Sequence, residues 1–114
     1  MLKQILFGAF ALALAPIPAF AQCGNASYYG PGLHGGVTAS GERFNSSGMT
    51  AAHPWYPLGT WVRVTNQVNG RSVQVRINDR GPYAGGRVID MAEGAASRIG
   101  LVSVGIAPVC IARL

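Results

Sequence analysis

Charged side chains are scarce in this sequence. Only 11% of its 114 residues are Asp, Glu, Lys or Arg, and four of them are acidic. Together with 49% hydrophobic residues, 16 glycines and seven prolines, this low charge excludes a disordered acidic or basic tail, a coiled coil and a helical repeat protein. The 16 glycines, together with the few Glu, Lys and Leu residues beyond position 21, favour short strands joined by many turns.

The sequence has no apolar run of the ~20 residues that a transmembrane helix needs. The apolar run over residues 5–14 follows Lys3 and precedes two prolines and the sequence Ala19-Phe20-Ala21. A basic start, a short apolar core and a small-residue ending are typical of a secretory signal peptide. We therefore predict a signal peptide over residues 1–21 and a single domain over residues 22–114. Export to the periplasm or the cell surface would exclude nucleic acid as a partner.

Cysteine is limited to two residues, Cys23 and Cys110, which are 87 positions apart. No C-x-x-C or H-E-x-x-H spacing occurs, so the sequence predicts neither a metal site nor a cofactor. Two cysteines in an exported protein favour a disulfide, with two buried thiols as the alternative. Lipidation of Cys23 is disfavoured because Gln22, rather than a small residue, precedes it.

Alternating apolar residues predict short strands. Val62 and Val64 fall on one face of the segment 60–65, and the segment 72–77 alternates in the same way. Asn69-Gly70 between these segments indicates a β-hairpin. Further strands are predicted for residues 26–29, 87–91 and 105–112, a surface loop for residues 33–48, and one helix for residues 92–99. About six short strands and one short helix indicate an all-β protein with a six-stranded closed barrel.

Few side chains beyond residue 21 can perform acid–base chemistry. Asp79 is the leading candidate because it lies where a hydrophobic strand meets the Gly81-Pro82 turn, which would hold the side chain firmly but leave it accessible. A turn cap on the amides of Arg80 or Gly81 is an equally compatible interpretation. The complete set of carboxylates and histidines beyond residue 21 is Glu42, Asp79, Asp90, Glu93, His34 and His53.

The other candidates each have a structural alternative. Glu42 lies in a Gly- and Ser-rich loop and could be a solvated charge, whereas His53 lies among alanines and could be a structural residue. Asp90 could cap the predicted helix, and Glu93 could complement its dipole.

The basic residues beyond position 21 are all arginines. Eight arginines against four acids give this region a net charge of +4. Guanidinium groups pair with carboxylates and stack on flat rings, so an anionic extracellular polymer is a candidate ligand, with a merely solubilising surface as the alternative. Some aromatic side chains must belong to the core, but others offer flat faces for sugar rings. They are Tyr28, Tyr29, Trp55, Tyr56, Trp61 and Tyr83.

Six motifs occur in an order that is typical of a known family. They are Ala26-Ser27-Tyr28-Tyr29-Gly30, Thr38-Ala39-Ser40-Gly41-Glu42, Thr50-Ala51-Ala52-His53, Gly59-Thr60-x-Val62-Arg63-Val64-Thr65-Asn66, Val75-x-Ile77-Asn78-Asp79-Arg80-Gly81-Pro82-Tyr83 and Gly86-Arg87-Val88-Ile89-Asp90. Over about residues 24–111 the sequence closely resembles the rare-lipoprotein-A-like family of bacterial lytic transglycosylases.

The resemblance implies a six-stranded double-psi β-barrel, the fold of expansins, and peptidoglycan glycan strands as substrate. It implies cleavage between N-acetylmuramic acid and N-acetylglucosamine, which leaves a 1,6-anhydro sugar. The family's essential aspartate falls on Asp79, and its supporting glutamate and histidine fall on Glu42 and His53. We expect a monomer in which the substrate contacts are Tyr28, Arg80, Tyr83 and Asp90.

One position departs from the family pattern. Many members have an aspartate three residues after the glutamate, whereas this sequence has Asn45, which could weaken catalysis. A non-catalytic, expansin-like module that binds cell-wall glycan is therefore the alternative hypothesis, and a barrel that serves only as a scaffold is a third. One carboxyl group suffices for the enzyme because the substrate's own C6 hydroxyl attacks within the same molecule, whereas an ordinary glycosidase needs two carboxyl groups.

Overall fold

The computed structural model describes residues 21–114, so the predicted signal peptide lies outside the described residues except for Ala21. Within this range the chain forms six strands, one α-helix and a short 3-10 turn at Pro31–Leu33. The elements are β1 (Gln22–Tyr28), β2 (Thr50–Ala52), β3 (Trp61–Asn66), β4 (Ser72–Asp79), β5 (Arg87–Met91), α1 (Glu93–Arg98) and β6 (Ala107–Arg113).

The six strands close into a barrel in the order β1-β5-β2-β4-β3-β6. The pairs β1–β5 and β2–β4 are parallel, and the other ladders are antiparallel. Parallel neighbours need long crossover connections, which is why β1 and β5, and β2 and β4, are not consecutive along the chain. The prediction of an all-β, six-stranded barrel with one short helix is confirmed.

The predicted hairpin and the predicted inward faces are also confirmed. Val62 and Val64 on β3 and Val75 and Ile77 on β4 are fully buried in the core. Gly70 has a φ of 76°, and its amide donates to the Asn66 carbonyl at the turn between the two strands. Glycine suits this position because an L side chain is strained at such an angle.

Three elements differ from the sequence predictions. The strand β1 begins at Gln22 rather than at residue 26, and the three-residue strand β2 was not predicted at all. The helix is shorter than predicted, and its N-cap is Ala92, which makes no side-chain capping bond. The idea that Asp90 caps this helix is therefore wrong.

The predicted disulfide is confirmed. The antiparallel register of β1 and β6 places Cys23 directly opposite Cys110, and their sulfur atoms are bonded. The alternative of two buried thiols is therefore excluded. Within residues 21–114 no helix has the length and apolar character required to cross a membrane.

Candidate functional site

A pairing irregularity between β2 and β4 sets the direction of Asp79. Ala51 pairs with Ile77, but the next residue, Ala52, pairs with Asp79, so Asn78 is an extra residue in β4. A bulge of this kind redirects the side chains that follow it. Ala51 and Ile77 belong to the core cluster, whereas Asp79 and Ala52 lie on the other face of the sheet, where Ala52 is buried and Asp79 is half-buried.

Asp79 belongs to a row of side chains across four strands. Ala52 pairs with Asp90 as well as with Asp79, and Asp90 pairs with Ser27. We call Ser27, Asp90, Ala52 and Asp79 the carboxylate row. Because adjacent strands are ~4.8 Å apart, the Cα atoms of the two aspartates are about 10 Å apart. The small side chain of Ala52 separates the two carboxylates.

Both carboxylate oxygens of Asp79 accept hydrogen bonds. Oδ1 accepts from the backbone amides of Ala39 at 3.0 Å and Arg80 at 2.9 Å, and Oδ2 accepts from the Tyr29 hydroxyl at 3.2 Å. The bond from Arg80 is the turn cap considered above, so this structural role is present. Oδ2 accepts one hydrogen bond, from Tyr29, so its second lone pair is available to a ligand.

Tyr29 bonds Asp79 and lies close enough to Asp90 to be affected by its charge. Burial, followed by the negative charge of Asp79 and a smaller contribution from Asp90, raises the pKa of Tyr29 above its ordinary value. The phenol therefore stays protonated and remains a donor to Asp79. Its ring packs edge-on against Phe44 with the centroids 4.7 Å apart.

Sequence reasoning assigned the substrate contact to Tyr28, whereas the structure brings Tyr29 to Asp79. Tyr28 pairs with Met91, packs against the core, and its hydroxyl donates to the Val102 carbonyl at 3.4 Å. The side chains of neighbouring residues in extended chain point to opposite faces, so only one of the two tyrosines can reach Asp79. The period-two pattern could have predicted which one, had the exact extent of β1 been known.

Asp90 is held by two residues that the sequence did not identify as site residues. The Ser27 hydroxyl donates to Asp90 Oδ1, and Arg87 Nη2 lies 3.7 Å from Asp90 Oδ2. Arg87 Nη1 also donates to Ser27 Oγ at 3.0 Å. Asp90 is therefore a paired carboxylate on the same outer face as Asp79.

Glu42 forms a two-bond ion pair with Arg76, a residue that the sequence did not connect with it. Arg76 Nη1 donates to Oε1 at 2.7 Å, and Nη2 donates to Oε2 at 3.1 Å. These hydrogen bonds are the main reason why the pKa of Glu42 falls to about 2. Glu42 is therefore ionised near neutral pH and cannot supply a proton, although it can hold Arg76 or a substrate hydroxyl.

His53 is fully buried and makes no ring contact with Asp79. Its Nδ1 accepts from the amides of Trp55 at 3.1 Å and Tyr56 at 2.9 Å, and its Nε2 lies 2.9 Å from Gln22 Oε1. Burial, with a smaller effect from nearby arginines, lowers the pKa of His53 to about 4. His53 is linked to the site through its backbone: its amide donates to the Asp79 carbonyl at 3.1 Å, and its carbonyl accepts from Arg80 Nη1 at 3.2 Å.

The two other predicted substrate contacts, Arg80 and Tyr83, differ in whether their side chains are free to bind a ligand. The guanidinium of Arg80 donates to the carbonyls of Tyr56 at 2.8 Å and His53 at 3.2 Å, so it fixes the segment after β2. Tyr83 is 77% exposed and is free to meet a ligand. In the described part of the chain, no group of three His, Cys, Asp or Glu residues is placed to hold a metal ion.

An open depression of about 380 Å³ lies beside the carboxylate row. Asp79 does not line it, but its neighbour Asn78 does. The residues that line it include Glu42, Asn45, Thr50, Trp61, Arg76 and Asn78.

Comparison with known proteins agrees with this architecture. Residues 21–111 match the family described as lytic transglycolase. A probable endolytic peptidoglycan transglycosylase RlpA from Synechocystis is 60% identical over 88 residues, which cover 77% of this chain and 27% of that protein. An endolytic peptidoglycan transglycosylase RlpA from Neisseria meningitidis is 50% identical over 95 residues, which cover 83% of this chain and 40% of that protein.

Solved structures share the fold at lower identity. The Streptomyces papain inhibitor has a TM-score of 0.69 at 24% identity, and the match covers 87% of this chain and 99% of that chain. An expansin from Clavibacter michiganensis has a TM-score of 0.65 at 21% identity, with 82% of this chain and 50% of that chain covered. At these identities the likeness concerns the fold alone.

The chain belongs to the lytic transglycolase family and has its double-psi β-barrel, as the sequence motifs predicted. It spans about a quarter to two fifths of the length of the two curated relatives given above.

Proposed function

We propose that this protein is an exported lytic transglycosylase that cleaves peptidoglycan glycan strands between N-acetylmuramic acid and N-acetylglucosamine. The names of the curated relatives support this substrate and reaction. The structural observation that carries the proposal is the position of Asp79. It lies at the end of β4 on the outer face, with Oδ1 fixed by two amides and Oδ2 held by Tyr29.

In the proposed reaction Asp79 acts twice. Its protonated Oδ2 gives a proton to the glycosidic oxygen as the bond from that oxygen to C1 of N-acetylmuramic acid breaks. The C6 hydroxyl oxygen of the same sugar then bonds to C1, and its proton passes to the Asp79 carboxylate. The acid is regenerated, the muramic acid end is a 1,6-anhydro sugar, and no water is consumed. One carboxyl group is enough because nucleophile and electrophile belong to the same ring.

The other polar groups have supporting roles in this proposal. Glu42 is ionised and paired with Arg76, so we assign it to orienting substrate rather than to proton transfer. Asp90 and Tyr83 are proposed substrate contacts. The role of His53 is indirect and structural, because its ring is buried and the hydrogen bonds of the ring go to Gln22, Trp55 and Tyr56 rather than to Asp79.

The decisive experiment is an analysis of sugar ends after digestion of purified peptidoglycan. We expect the wild type to release 1,6-anhydro ends and Asp79→Asn to release none, with Glu93→Gln as the control carboxylate outside the carboxylate row. Products with reducing ends would instead indicate a hydrolase that uses Asp79 and Asp90 on either side of Ala52. Full activity of Asp79→Asn would contradict the proposal.

A second candidate is a glycan-binding module without catalysis. The observation that favours it is that two main-chain amides, the turn cap from Arg80 and the amide of Ala39, already donate to Asp79 Oδ1. This function predicts sedimentation with cell walls, no new sugar ends, and equal binding by the wild type and Asp79→Asn.

A further inference from the structure

We propose that the depression beside the carboxylate row is a subsite for one uncharged N-acetylglucosamine ring. It would hold the sugar that neighbours the muramic acid unit reacting at Asp79. The identity of this sugar rests on the proposed function, whereas binding to the depression can be measured without any reaction.

The depression is built on a second row of outer-face side chains. Trp61 on β3 pairs with Arg76 on β4, and Arg76 pairs with Thr50 on β2. Thr50 is two residues before Ala52, so this row runs beside the carboxylate row at about 6.6 Å. A polymer that crosses one row therefore meets the other with an adjacent unit.

Trp61 supplies an apolar wall. It lies on the outer face of β3, outside the core, and is 45% exposed. A large exposed apolar side chain beside a few convergent polar groups is typical of a ligand site. The flat indole suits the apolar face of a sugar ring, whose hydroxyl groups project around its edge.

Two residues of the lining each have a polar atom without a partner. Thr50 Oγ1 and Asn78 Oδ1 are buried and have no hydrogen-bond partner among the described residues. Leaving such an atom unsatisfied costs about 1–3 kcal/mol, so a small side-chain movement that brings it a donor from a ligand in the depression is favoured. Hydroxyl groups and the acetamido N–H of a sugar are donors of the required kind.

The charges around the depression favour an uncharged ring. Glu42 and Arg76 neutralise each other through two hydrogen bonds. Asn45, where many family members have an aspartate, uses its Oδ1 to accept from the Ser47 amide. Arg43 is exposed at the rim, where water screens its charge, and it donates to the Gly35 carbonyl. In peptidoglycan the sugars on both sides of N-acetylmuramic acid are N-acetylglucosamine, which has no carboxyl group.

The test is direct binding of an uncharged N-acetylglucosamine tetramer, measured by calorimetry on the oxidised protein. Removing an aromatic anchor typically costs more than 1 kcal/mol, so we expect Trp61→Ala to raise Kd about tenfold. Thr50→Val should also weaken binding, and Trp61→Phe should retain most of it. Arg63→Ala is the matched control because Arg63 is exposed on the same face of β3 but outside the depression. Kd should depend little on salt concentration.

Each result separates this inference from the proposed function. Suppose that the wild type makes anhydro ends but Trp61→Ala, Trp61→Phe and Thr50→Val all bind the tetramer as the wild type does. The proposed subsite is then wrong, and the proposed enzymatic function is retained. If binding depends on Trp61 and Thr50 but no anhydro ends form, the subsite is retained and the proposed enzymatic function is wrong. Failure of the wild type to bind the tetramer, or binding that Arg63→Ala weakens equally, would also overturn the subsite.

Discussion

The Tyr29 hydroxyl donates a hydrogen bond to Oδ2 of Asp79, the carboxylate oxygen that carries the proton in the proposed reaction. The adjacent Tyr28 has the same side chain but points to the core and bonds the Val102 carbonyl instead. Tyr28 is the last residue of β1 and Tyr29 follows it directly, so the two tyrosines form a natural pair of control and test positions.

We expect Tyr29→Phe to lower kcat about tenfold or more with little change in KM. In this proposal the phenol orients Asp79 and is not a substrate contact, and a hydrogen bond to a charged group is worth about 1.5–3 kcal/mol. Steady-state release of sugar ends measures both constants. Tyr28→Phe should leave kcat and KM unchanged, and equal losses in the two variants would argue that only packing is involved.

His53 makes the fold sensitive to mild acid. The unfolded chain binds a proton on His53 near its ordinary pKa of 6.5, whereas burial lowers the folded pKa to about 4. The unfolded state therefore holds more protons in this window, and stability falls as the pH falls through it. Between about pH 7 and about pH 5 the free energy of unfolding should drop by about 2 kcal/mol through this residue.

Urea unfolding at several pH values checks this expectation. In His53→Gln the drop in the free energy of unfolding between about pH 7 and about pH 5 should largely disappear, because glutamine does not titrate. His34→Gln is the control, since His34 lies in an exposed loop and its Nδ1 accepts only from the Ser46 amide. An unchanged drop in His53→Gln would place the acid sensitivity elsewhere.

The Cys23–Cys110 disulfide should stabilise the barrel mainly by restricting the unfolded chain. A closed loop of 87 residues corresponds to about 4–5 kcal/mol in the chain-entropy treatment. The double variant Cys23→Ser, Cys110→Ser should therefore lose about 4 kcal/mol. Its urea m-value should rise, because the unlinked unfolded chain exposes more surface. A stability loss below about 1 kcal/mol in urea titrations would contradict this account.

The sequence was sufficient for features that depend on local pattern. Alternation predicted β3, β4 and their hairpin, and export chemistry predicted the disulfide. The strand β2 was missed because three residues are too few to display a period. Without β2 the sequence could not show that Asp79 and Asp90 are neighbours, because both aspartates pair with Ala52 on this strand.

Features that depend on pairing could not be predicted from the sequence. The bulge at Asn78, which turns Asp79 outward, exists only in relation to the register of β2. Glu42 and Arg76 are 34 positions apart, and nothing in either segment indicates that they meet. The motif resemblance gave His53 a supporting role in catalysis. It could not show that the ring is buried and stacked on the Tyr56 ring, with the two centroids 3.7 Å apart. The roles of individual site residues remain predictions.

Gly94 controls how closely α1 approaches the loop that carries Glu42 and Asn45. Its amide donates to the Ser46 carbonyl at 2.8 Å, and a Cβ placed on it would lie 2.5 Å from the Ser47 carbonyl oxygen. The obstructing atoms are backbone atoms, so the loop as a whole must move. We expect Gly94→Ala to destabilise the protein by about 1–3 kcal/mol despite the better helix propensity of alanine.

The same variant should weaken the site as well as the fold. Moving the segment at residues 46–47 displaces Asn45 and, through the loop, Glu42, so binding of the N-acetylglucosamine tetramer should fall under conditions in which the variant is still folded. Gly30→Ala is the control, because a Cβ there meets nothing within 4 Å. Thermal unfolding together with calorimetry tests both effects. A Gly94→Ala protein with wild-type stability would mean that the loop yields freely, and the depression would then lack the fixed wall that its role as a subsite requires.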